Sequence, residues 1–297
     1  MANAATVVVA KGRGRDGGRR LVPVLGRLAL LPVVVAVLWG LWEGYKWLWE
    51  TTGWTEPFVV DDRTLPHLHT VVSTLFDPTH EDGPLLLTVL LEAAAFTARE
   101  AIVGFALGAS LGFLLGAAIA RSRVLQRGMM PYVVASQTVP ILAIGPIVVI
   151  GLGSRGVEDW VSVSVIAAYL TFFPVTINTV RGLHSADPRA LELMHSYAAG
   201  EWSTLRRLLV PSALPYLFAA FKVSATASIV GAIVGEFSSS IQEGLGGAIL
   251  VYSQEYTFRP QFLWATNIVA ALLGIAFFVA VAVAEKLVVR RAPEQLA

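Results

Sequence analysis

Residues 192–211, ELMHSYAAGEWSTLRRLLVP, form a polar, arginine-containing segment about as long as one helical hairpin, set between two long apolar runs. Before it comes AYLTFFPVTINTVRGL (168–183), and after it SALPYLFAAFKVSATASIVGAIVGEF (212–237). A membrane protein keeps an ordered polar segment between spans when something on one side of the membrane must grip it. Asp187-Pro188 just ahead reads as a helix start, with Asp as the N-cap and Pro at the first helical position. Tyr197, Trp202 and Leu205 offer an apolar face at roughly helical spacing for a partner's groove. Glu192, Arg206 and Arg207 supply charge that orients such a contact.

Composition agrees with a membrane setting. The 297 residues are 55% hydrophobic and 14% charged, against about 25% charged in soluble domains. Mean hydropathy is +0.66. Six apolar runs stand out, at approximately 28–49, 85–120, 132–153, 160–180, 211–236 and 261–284, and a span needs about 20 residues. The expected fold is therefore all-α and polytopic, with about six transmembrane helices. The second run is too long for one span and carries Glu92, Arg99 and Glu100 in its first half. Residues 85–100 are thus an interfacial or protein-packed extension, and 101–120 cross. Gly104, Gly108, Gly112 and Gly116 recur every fourth residue and admit a close helix neighbour, within the chain or across a subunit interface.

Charge sets the orientation, because Lys and Arg concentrate on the cytoplasmic side. With the N-terminus inside, segments 1–27, 121–131, 181–210 and 285–297 hold 16 of the 22 Lys and Arg, and the outer loops hold only Arg63, Arg155 and Arg259. Both termini are expected in the cytoplasm of a bacterial cell, with the chain in its plasma membrane. Residues 1–27 read as a basic, disordered tail touching anionic lipid, with no aromatic platform for nucleic acid. The Arg19-Arg20 pair precedes an apolar run too long for a cleaved signal. Trp39, Trp42, Trp47, Trp49 and Trp54 mark the outer end of the first helix as an aromatic belt. Residues 28–84 thus hold that helix and an acidic outer loop with His67, His69 and His80. Two histidines at i, i+2 beside Pro66 fall short of the three or four donors a metal site requires, so a solvated acidic loop is the simpler account and no metal is assigned.

Whole classes of chemistry are missing. No Walker A pattern occurs, and none of the four lysines (Lys11, Lys46, Lys222, Lys286) follows a glycine. There is no G-x-S-x-G elbow or H-E-x-x-H motif, and no cysteine. No catalytic residue and no cofactor is assigned. If ATP drives the process, another subunit hydrolyses it.

SQTVPILAIGPIVVIGLG (136–153) places Pro140 and Pro146 inside a span, and Pro174 interrupts the next. Proline removes a helical hydrogen bond, and such breaks survive in lipid only where protein or a wet cavity satisfies the freed carbonyls. Lys222 lies about 16 Å along the helix from Pro211 at 1.5 Å per residue, too deep to face lipid cheaply. It either lines a solute pathway or belongs to a structural pair or snorkels. Gln137, Thr138, Tyr169, Thr171 and Asn178 are further pathway candidates.

Residues 192–211 resemble the EAA loop of ABC-importer permeases, E-A-A-x3-G-x9-I-x-L-P. Glu192 and Pro211 stand at its two ends, and Leu208 and Val210 at its apolar positions. Leu193 and Met194 replace the two alanines. Ala198 replaces the glycine, and Gly200 is an alternative source of the turn. The proline-broken spans, and Gly244-Leu245-Gly246 after VGEF (234–237), resemble the group that imports nitrate, taurine, alkanesulfonates and pyrimidine precursors. The likeness covers about 86–284, within a permease core at 85–284. It implies that 187–211 is a coupling loop, with Glu192, Ala198, Gly200, Trp202, Arg206, Arg207 and Pro211 as its site residues. It implies an ATPase dimer, an extracytoplasmic solute-binding protein and a second permease subunit as partners. A small anionic or polar solute would cross by alternating access. The rivals are an ATP-independent secondary transporter or channel, for which more intramembrane charges and an internal repeat are expected, and a membrane scaffold.

Overall fold

The computed structural model describes residues 22–53, 61–239 and 241–289. The basic tail before residue 22, Trp54 and residues 290–297 lie outside them. Eleven α-helices follow in order: α1 Val22–Thr52, α2 Leu68–Thr74, α3 Leu86–Ala120, α4 Arg123–Ser136, α5 Ile141–Gly153, α6 Asp159–Leu183, α7 Pro188–Ser196, α8 Glu201–Thr204, α9 Val210–Ser239, α10 Leu245–Gln254 and α11 Pro260–Val288. A π-helical turn, Leu205–Leu209, joins α8 to α9, so that Glu201–Ser239 is continuous. No strand occurs among the described residues.

Four of these helices are long and apolar enough to span a bilayer, and α4 with α5 makes a fifth, broken one bent by 96°. The expected first span falls within α1, part of whose side chains lie outside the described residues. The break has a local cause. Pro140 has no N–H and disfavours a helical conformation at the residue before it, and it adopts φ −61°, ψ 123° ahead of α5. Of residues 85–100, all but the extended N-cap Leu85 belong to one unbroken helix with 101–120, and Leu86, Leu90, Ala93, Ala94, Thr97 and Glu100 are buried there. The extension is protein-packed.

Helix α6 packs against α3 on one side and α9 on the other. The glycine stripe explains the closeness of the first contact. A Cβ on Gly104 would stand 2.5 Å from Ala167 Cβ, one on Gly108 2.7 Å from Thr171 Cβ, and one on Gly116 2.6 Å from Thr179 Cβ. The stripe serves packing within the chain. On the other side Gly231 and Gly235 of α9 lie against Ala167 and Val163. Helices this close must bury hydroxyls from α6, and those bond backward along their own helix: Ser164 to Trp160 O (2.9 Å), Thr176 to Phe172 O (2.8 Å) and Thr179 to Val175 O (2.7 Å).

The described residues up to Leu68 form one compact unit. Within it, residues 66–68 fold back on the end of α1. Trp42 Nε1 donates to Pro66 O (3.1 Å), the Glu43 carboxylate accepts from Leu68 N (3.0 Å) and meets His67 Nδ1 (2.6 Å). Glu50, Asp62 and His67 offer ligand atoms within 4.8 Å of one another. The buried Lys46 ammonium hydrogen-bonds Asp62 and lies 3.7 Å from Glu50, so a side-chain cation already compensates these acids.

Candidate functional site: the polar segment and the broken span

The Asp187 carboxylate accepts from Arg189 N at 2.9 Å and Pro188 opens α7, as the sequence requires. The chain then turns at Ala198, which adopts φ +51°. Left-handed backbone costs a residue with a Cβ about 1–2 kcal/mol, and here it falls on the position where the resembled pattern has glycine. Gly200 takes no part in it: at φ −64°, ψ 160° it is extended and caps α8. The alternative source of the turn is thereby corrected. Ala198→Gly should raise stability by up to about 1 kcal/mol, the relieved strain being partly offset by a more flexible unfolded chain, and Ala198→Val should lower it. Thermal unfolding of the purified protein checks both.

The turn leaves the segment's aromatic side chains in solvent. Tyr197 is 77% exposed and Trp202 74%. Glu192, Arg206, Arg207 and Pro211 are exposed as well. Leu205 does not join them. It packs against the cluster of Leu183, Ala213 and Leu217, which roots the segment in α6 and α9. Arg121, which caps the C-terminus of α3, forms an ion pair with Glu201 at the start of α8. The segment is thus short and polar-faced, anchored by an apolar foot, with two large aromatic rings uncovered.

Two of the pathway candidates meet at the broken span. Tyr169 Oη donates to Ser136 O at 2.6 Å, satisfying a carbonyl that the break frees, and Gln137, exposed, is the C-cap of α4. Thr138 and Thr171 bond to Ala135 O and Ala167 O. Asn178 Nδ2 donates to Pro174 O at 2.8 Å, so its amide is occupied with its own helix.

Lys222 has a partner elsewhere. Its Nζ lies 2.9 Å from Glu285 Oε2 of α11, each side chain about one quarter exposed. Glu285 lies in the last turn of α11, just past the apolar run 261–284. Lys222→Met should leave that carboxylate partly buried and unpaired, at a cost of about 1–3 kcal/mol, below the figure for a fully buried pair. Membrane abundance should fall, and Lys222→Met with Glu285→Gln should recover it. A full-abundance single variant that has lost only uptake would instead place the ammonium's role in the pathway.

A buried polar knot at Thr97, Glu100 and Glu236 escaped sequence reasoning. Thr97 Oγ1 donates to Glu236 Oε1 (2.6 Å) and accepts from Leu245 N (2.9 Å), and Gly246 N donates to Glu236 Oε2. Glu236 therefore caps α10 from α9, with Thr97 bridging from α3. Glycine is required in the turn: a Cβ on Gly246 would stand 2.7 Å from Glu236 Oε2, and one on Gly244 would overlap the same carboxylate. Glu100, fully buried beside Glu236, meets no donor among the described residues. The signal in the sequence was an acid eight residues before a Gly-Leu-Gly turn.

Long apolar helices packed in one all-helical core, with an exposed polar segment between two of them, define a polytopic membrane protein. A family model described as the binding-protein-dependent transport system inner membrane component matches residues 84–291, and the chain belongs to that family. It is a multi-pass inner-membrane protein of a transport group, and no enzyme chemistry attaches to the family. Its similarity to the formylaminopyrimidine transport permease protein ThiX of Halalkalibacterium halodurans is 34% identity over 60% of this chain and 69% of that one. It is 30% identical to the riboflavin transport system permease protein RibX of Chloroflexus aurantiacus, over 58% of this chain and 61% of the other. To the protein named putative aliphatic sulfonates transport permease protein SsuC of Bacillus subtilis it is 27% identical, over 74% of this chain and 72% of the other. A crystal structure of an amino acid ABC transporter with histidines superposes with a TM-score of 0.54 at 16% identity, covering 69% of this chain and 95% of the other. That likeness concerns the fold.

Proposed function

We propose that the chain is the membrane-spanning subunit of an ATP-driven, binding-protein-dependent importer, with hydrolysis on a separate ATPase. The observation that carries this is the exposed Tyr197–Trp202 face on a lever whose turn falls at Ala198. Large rings left in water on a rooted segment fit a partner's groove. Two such chains, or one with a related permease, enclose the solute path. Each lever sits on one ATPase, and closure of the ATPases moves the levers and tilts α9. An extracytoplasmic binding protein delivers the solute at the opposite face. Both termini and residues 187–211 lie in the cytoplasm on this account, in keeping with the distribution of Arg and Lys.

The solute is small and polar or anionic. The relatives support that class, since their names give formylaminopyrimidine, riboflavin and aliphatic sulfonates as cargoes. The test is uptake by the purified assembly in proteoliposomes with the binding protein outside. Uptake should require ATP on the ATPase side and stop when it is depleted. Accumulation that persists without ATP, driven by an ion gradient, would favour a secondary transporter.

A further inference from the structure

Two cavities adjoin at Arg123 and Gln126, and their characters differ. One, of about 630 Å³, opens among α4, α6 and α9, and its polar lining includes Arg123, Arg181, His184 and Ser185. The other, of about 820 Å³, runs along α4 past Arg127 to Met130, Pro131, Val134 and Thr138. No acidic side chain lines either. Arg123, Arg127 and Arg181 take part in none of the ion pairs among the described residues. His184 Nδ1 is engaged with Val180 O at 2.8 Å, which leaves Nε2 for a ligand. The basic end also lies at the N-terminus of α4, where the helix dipole favours an anion.

We propose that this notch binds one anionic phospholipid. Its phosphate lies between Arg123, Arg181 and His184, and one acyl chain runs along the apolar side of α4. Guanidinium groups recognise phosphate oxygens through paired hydrogen bonds. From Met130 to Thr138 the apolar wall is about 12 Å long at 1.5 Å per residue, close to the roughly 15 Å of one leaflet of a 30 Å hydrocarbon core. A free anion would use the basic end alone and leave the apolar wall unexplained; an uncharged lipid would leave three arginines uncompensated. Basic pockets between helices on the cytoplasmic side hold anionic headgroups elsewhere. Only the assignment to the cytoplasmic leaflet rests on the function proposed above. Lipid binding itself is measured without ATP, solute or knowledge of sidedness, so the two accounts fail separately.

The experiment is native mass spectrometry of the purified permease assembly, titrated in detergent with phosphatidylglycerol or phosphatidylcholine. The expected result is one phosphatidylglycerol per permease chain, retained at least tenfold more strongly than phosphatidylcholine and not displaced by millimolar inorganic phosphate. Arg123→Gln with Arg181→Gln should weaken retention on the order of thirtyfold. Equal retention of the two lipids by the unaltered protein overturns the proposal without need of any variant. Displacement by inorganic phosphate would make this a free-anion site and overturn it too. So would cross-linking that seats a second permease chain against Val134.

Discussion

Trp202→Ala should weaken ATPase binding about thirtyfold or more while leaving the permease folded and in the membrane. The ring is 74% exposed in the chain, so removing it costs the fold little; surface substitutions usually fall within about 0.5 kcal/mol. In a docked groove the same ring would act as an anchor, and aromatic anchors contribute about 2 kcal/mol or more when truncated, which is close to thirtyfold at 1.4 kcal/mol per decade. Uptake should fall with binding. Glu192→Arg should also abolish uptake at normal abundance, through misorientation more than lost contact area. The measurement is ATPase retained by the tagged permease, set against the permease's own abundance. Full retention by Trp202→Ala would remove this face from the contact.

Gly108→Val should prevent accumulation of the folded protein. Its Cβ would stand 2.7 Å from Thr171 Cβ and 3.0 Å from Ala168 Cα, and the backbone of α6 cannot yield without disturbing its packing on α9. Overpacking a close helix contact costs about 3 kcal/mol at the upper end of its usual range. Gly274→Val is the control, since nothing lies within 4 Å of a Cβ there. Abundance after membrane extraction reads both variants. Normal accumulation of Gly108→Val would show that α3 and α6 do not pack through this stripe.

The long apolar runs, the start of α7 and the interruption near Pro140 were legible because each rests on local chemistry: hydropathy over about 20 residues, an N-cap followed by proline, and a missing N–H. The glycine stripe was legible as a close contact, but its partner was not, since one face cannot name the helix that meets it. The turn at Ala198 was half legible. The resembled pattern pointed to residue 198, where it has glycine, while the glycine present in the sequence is Gly200, and the turn falls at Ala198 with φ +51°. Leu205 was misplaced because its spacing from Trp202 cannot report the side chains of α6 and α9 that cover it, Leu183, Ala213 and Leu217. The partner of Lys222 and the Thr97–Glu236 link were hidden for a different reason. They join residues 63 and 139 positions apart, and nothing local to either residue reports the other.

Residues 187–211 are proposed to face the cytoplasm and to carry the ATPase. Ser196, exposed at the end of α7, is the position to probe, and a chain without cysteine makes Ser196→Cys the single reactive thiol. A membrane-impermeant maleimide applied to intact cells should leave it unlabelled. The same reagent should label it once the cells are opened, and more slowly when the ATPase is bound. Labelling from outside intact cells would contradict the account.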